Sequence, residues 1–90
     1  MHSYFVTVTN RCEQKLKEMG ASPQQIEAYL KDFHADLAVA ERIPGKPKTR
    51  AEALAVTGVE LAVGLAKGQA EPLLNGDDPQ EWKWKAVIAP

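Results

Sequence analysis

Apolar and polar positions change period several times along the ninety residues, and each change marks an expected element. Residues 4–9, YFVTVT, alternate strictly. Tyr4, Val6 and Val8 fall on one face and Phe5, Thr7 and Thr9 on the other, a pattern that predicts a strand. Asn10 with Glu13 then resembles a capping box opening a short helix, whose inner stripe is Cys12, Leu16 and Met19 and whose stop is Gly20. Ser22-Pro23-Gln24-Gln25 carries a second start signal: a hydroxyl acceptor, a proline suited to the first helical position, and a glutamine able to reach back. From there Ile26, Tyr29, Leu30, Phe33, Leu37 and Ala40 share one face at helical spacing, with Gln24, Lys31, Asp32 and Asp36 opposite. This amphipathic helix ends before Pro44-Gly45.

The segment IPGKPK is a stiff basic connector, and Thr49 with Glu52 forms the next capping box. The third helix, 51–67, departs from the usual pattern. Leu54, Leu61 and Leu65 lie together, beside a ridge of Ala51, Ala55, Gly58 and Ala62 and a further row of Val56, Val59 and Val63. The apolar arc spans roughly 220°, about twice that of an ordinary surface helix, leaving Thr57, Glu60 and Lys67 as a narrow wet edge. Two placements satisfy such a helix. It is the central core element of its own chain, or its ridge of Ala55, Gly58, Val59, Ala62 and Val63 faces a second copy in a homodimer.

Gly68 closes the helix. Residues 69–81 read as a loop with turns at Asn75-Gly76 and Asp78-Pro79, and Trp82, Trp84, Ala86 and Ile88 alternate with Lys83, Lys85 and Val87 as a second strand. The expected fold is therefore α+β, ordered β-α-α-α-β, with two terminal strands forming a small ribbon against three helices in a single domain, 1–90.

Composition narrows the function classes. With 44% hydrophobic and 26% charged residues the chain suits one soluble domain. A net charge of −1 gives no global pull toward nucleic acid or membrane. The lone Cys12 cannot form an internal disulfide, MHSYFVTVTNR lacks a basic secretory start, and no apolar run is long enough to span a bilayer. These features point to the cytoplasm. Catalysis is not expected: His2 and His34 have no converging ligands for a metal, Cys12 sits on an apolar stripe, and GKPKTR lacks phosphate-loop spacing. No catalytic, metal-binding or cofactor-binding residue is assigned.

What remains is binding. Arg42, Lys46, Lys48 and Arg50 form the one positive cluster, and Trp82 and Trp84 share a strand face, so these six are the candidate contacts to a partner protein. The stretch from Glu71 to Glu81 has four carboxylates and no base. A non-enzymatic adaptor or inhibitor is the leading expectation, a description that small accessory proteins of phage and mobile elements often fit. The second reading starts from CEQKLKEMGASPQQIEAYL, which resembles a helix-turn-helix motif, within residues 11–33. The resemblance implies a DNA-binding regulator whose Gln24 and Gln25 read bases. Against it, the would-be recognition helix carries Glu27, Asp32 and Asp36 beside only Lys31, and carboxylates repel phosphate.

Overall fold

In the computed structural model, which describes residues 3–69, YFVTVT is helix and not strand. Three helices follow one another: α1 (Ser3–Glu18), α2 (Pro23–Ala40) and α3 (Arg50–Ala66). Among the described residues there is no strand, so the expected α+β ribbon is replaced by an all-helical bundle. The expected second strand, with Trp82 and Trp84, lies outside the described residues.

The reason is a longer period running through the alternation. Val8, Cys12 and Leu16 recur every four residues and are buried, and half-buried Phe5 and Met19 extend the same stripe in both directions. A strand would have put Tyr4, Val6 and Val8 on one face. The helix separates them, leaving Tyr4 51% and Val6 46% exposed while Val8 is 3% exposed. Burial of a stripe five residues long outweighs the weak strand preference of β-branched side chains. Asn10 is accordingly an interior helical residue, and the expected capping box at Asn10 and Glu13 does not exist.

The other helix ends follow their sequence signals. Ser22 Oγ accepts from the Gln25 amide at 3.1 Å while Gln25 Oε1 accepts from the Ser22 amide at 2.8 Å, a reciprocal box with Pro23 at the first helical position. Gly20, at φ +85°, ends α1: its amide donates to the Lys17 carbonyl and that of Ala21 to Leu16. Gly68, at φ +72°, ends α3 with the same pair of bonds, to Leu65 and from Gln69 to Gly64. Both are Schellman closures, in which a left-handed residue satisfies the last carbonyls at no Cβ cost.

α3 packs against both α1 and α2, which answers the question its composition raises. Ala55, Gly58, Ala62, Leu65 and Ala66 are buried. At about 100° per residue they occupy an arc of roughly 100°. Half-buried Leu54 and Leu61 flank this arc on one side and Val56, Val59 and Val63 on the other. Small side chains thus sit where helix axes approach, and branched ones fill the margins. The ridge expected to mediate self-association divides into enclosed and half-buried positions. Ala55, Gly58 and Ala62 are enclosed by their own chain, and Val59 and Val63 pack against its core. Phe33 and Leu16 are the largest enclosed side chains, each contributing about 1.5–3 kcal/mol of burial.

Candidate docking surface

The connector between α2 and α3 is tied at both ends. After α2, the Arg42 amide donates to the Val39 carbonyl at 3.0 Å and that of Ile43 to Ala40 at 3.2 Å. Before α3, Glu52 Oε1 accepts from the amides of Lys48 (3.0 Å) and Thr49 (3.2 Å), and Thr49 Oγ1 accepts from the Glu52 amide (3.1 Å). Pro44 and Pro47 restrict φ between these anchors.

Arg42, Lys46, Lys48 and Arg50 are all exposed. Residues 42–50 contain no acid, and the carboxylate just beyond, Glu52, is committed to the cap. Positive charge is therefore concentrated over one short segment, where it attracts an anionic surface within a Debye length of about 8–10 Å.

The Thr9 hydroxyl relates this end of the bundle to α1. It donates to the Phe5 carbonyl at 2.8 Å, so its oxygen is left to accept from His34 Nε2 at 3.1 Å. That bond lies about 14 Å along α1 from the helix end. α1 and α2 thus run side by side as an antiparallel hairpin, and the start of α1 lies beside the end of α2, where the connector begins. Tyr4 and Val6 in the opening turns of α1, and Val39 in the last turn of α2 at 41% exposed, are the exposed large hydrophobics among the described residues. Sequence patterning missed Tyr4 and Val6 as surface residues because it placed them on a strand.

The residues of the helix-turn-helix resemblance are placed differently. Gln24 is exposed, but Gln25 is half-buried with its carboxamide oxygen held in the α2 cap. An open groove of about 550 Å³ runs beside this turn, floored by Pro23, Ile26 and Leu30 and edged by Glu13, Lys17 and Glu27. Two carboxylates against one lysine give that edge no excess of positive charge for phosphate.

The nucleophile candidates are held protonated. Cys12 is fully enclosed, its thiol donating to the Ala62 carbonyl at 3.1 Å. Burial pushes its pKa up to about 11, partly offset by the Ala66 amide. Both partners belong to one turn of α3, so the sulfur lies against the backbone of that turn. Burial likewise raises Tyr29, and negative charge on Cys12, Asp32 and Asp36 acts in the same direction. Asp36, expected on a solvated face, is only 7% exposed, one turn from Phe33, because α2 packs on two neighbours and its buried arc widens. Among the described residues no group of three or more His, Cys, Asp or Glu side chains is placed to hold a metal, and no helix is long and apolar enough to cross a membrane. Trp82, Trp84 and the acidic stretch 71–81 fall outside the described residues. Compared with protein-family models, curated proteins and solved structures, the chain matches none.

Proposed function

We propose that this chain is a small non-enzymatic docking protein, an adaptor or inhibitor that binds another protein through Arg42, Lys46, Lys48 and Arg50. The observation that carries the reading is the anchored cationic connector. Four exposed cations lie on a segment tied at both ends, with the adjoining Glu52 carboxylate withdrawn into a helix cap. Such pre-ordering lowers the entropy lost on binding. Burial of the Cys12 thiol supports a non-catalytic role and a cytoplasmic setting, since the thiolate is the reactive form and nothing here requires an oxidising compartment.

Site-specific photo-crosslinking tests the reading. A photoreactive residue at position 46 should give discrete protein adducts in host extract. The same residue at position 24, near the opposite end of a helix about 27 Å long, should not. The position-46 adducts should disappear when Arg42→Glu and Lys48→Glu are combined. Adducts that form equally from both positions, or that contain nucleic acid, would reject docking through the connector.

A further inference from the structure

The open groove between α1 and α2 has no part in the docking reading above. Pro23, Ile26 and Leu30 floor it, and Glu13, Lys17 and Glu27 edge it. Its volume of about 550 Å³ falls within the range of about 300–1,000 Å³ typical of sites that enclose a ligand. Ile26 is 7% exposed and belongs to the core, whereas Leu30 is half-buried and packs against that core. The apolar floor is thus continuous with the interior of the bundle.

α3 delivers the chain to this groove. Cys12 meets the Ala62 carbonyl and the Ala66 amide, and Ala66 is the last residue of α3. Glu13, the residue after Cys12, stands on the groove's edge. Gln69 is tied back to the Gly64 carbonyl at 2.8 Å, so the chain leaves α3 close to that contact. Twelve residues, 70–81, separate Gln69 from Trp82. They reach up to ~40 Å when extended, against the ~11 Å between Pro23 and Leu30 along α2.

We propose that residues 82–88, WKWKAVI, occupy this groove of their own chain. Tryptophan packs on the floor of Pro23, Ile26 and Leu30, and Lys83 and Lys85 pair with Glu13 and Glu27. The chemistry of the two surfaces selects this segment. It holds both tryptophans of the chain, side chains that bury large apolar areas and serve as anchors at interfaces. It also holds two lysines and no acid, whereas the groove edge has two carboxylates and one lysine. Glu13 meets Lys17 only at 4.0 Å and in solvent, a weak pairing that leaves the carboxylate able to accept a further cation. The intervening stretch 71–81 has four carboxylates and no base, so the acidic edge disfavours it. The inference does not depend on docking through the connector. The same segment of a second copy is the competing occupant.

The test uses the full chain with a nitroxide on one introduced cysteine, either Gln24→Cys beside the groove or Ala53→Cys in the first turn of α3. Cys12 is enclosed and stays unlabelled, which mass measurement checks. Broadening of the Trp82 and Trp84 indole N–H signals is read by NMR. The label at 24 should broaden both strongly, and the label at 53 should leave them nearly unchanged. Glu13→Lys with Glu27→Lys should remove most of the broadening from 24, and adding Lys83→Glu with Lys85→Glu should restore it. Circular dichroism on each variant checks that the helices persist. A mixture of spin-labelled chains with isotope-labelled chains lacking the nitroxide should show no broadening.

No broadening from 24, or equal broadening from 53, overturns the proposal. Broadening that survives charge reversal, or a loss that the swapped charges do not restore, refutes the pairing of the lysines with the groove edge. Broadening in the mixture assigns the groove to the segment of a second copy and overturns occupation by the same chain.

Discussion

Replacing Ala62 with leucine separates the two roles open to the small-residue ridge of α3. Ala62 is 0% exposed, and its carbonyl accepts the Cys12 thiol at 3.1 Å. Leucine adds three carbons at a fully buried point whose backbone meets Cys12 of α1. Overpacking of this kind costs about 1–3 kcal/mol, and the enclosure of the site places the change near the upper end. Against a total stability of about 5–15 kcal/mol, a loss of about 3 kcal/mol is severe. At about 4–8 °C per kcal/mol for a domain of this size, the melting temperature should fall by on the order of 15 °C. Urea denaturation followed by circular dichroism measures the loss, and sedimentation on the same samples reports mass. Ala53→Leu, on the exposed side of α3, is the control and should stay within about 0.5 kcal/mol of the parent. An Ala62→Leu chain that keeps its denaturation midpoint but changes its oligomeric mass would show that the ridge faces another molecule, and the packing argument would fail.

Other expectations concern single groups. Because burial raises the Cys12 pKa from 9.0 to about 11, the unfolded chain releases this proton first as pH rises. Stability associated with the buried thiol is therefore complete below about pH 9 and lost progressively toward about pH 11. The loss is on the order of 2–3 kcal/mol and should be reduced in Cys12→Ala when urea midpoints are compared across that window; identical pH profiles would refute the assignment. Ser22→Ala removes the acceptor for the Gln25 amide and should cost about 1 kcal/mol, measurable as a lower urea midpoint with an unchanged slope.

Local signals in the sequence marked most helix boundaries, because capping chemistry is short-range. Ser22 with Gln25, Thr49 with Glu52, Gly20 and Gly68 each act within a few residues, and each does in the structure what its type suggests. The start of α1 was misread because YFVTVT is compatible with two periods. Only the continuation of Phe5 and Val8 into Cys12, Leu16 and Met19 decides between them, and that continuation is visible only if the window crosses Asn10. The width of the α3 apolar arc was legible, but not what covers it: one helix packed on two neighbours and one helix in a dimer share the same pattern. Asp36 shows the limit of a single-face description, since a helix with two neighbours buries residues that a simple wheel assigns to solvent. The cationic connector was readable from composition, whereas the exposure of Tyr4 and Val6 depends on α1 being helical.

The closed core depends on α1 being helical from Ser3 onward. Backbone carbon chemical shifts of the full chain in solution measure this directly at Tyr4, Phe5, Val6, Thr7, Val8 and Thr9. The account predicts Cα shifts displaced downfield, as in a helix, continuing without a break through Asn10 to Glu18. Upfield, strand-type shifts over 4–9, or a helical start only at Asn10, would contradict it.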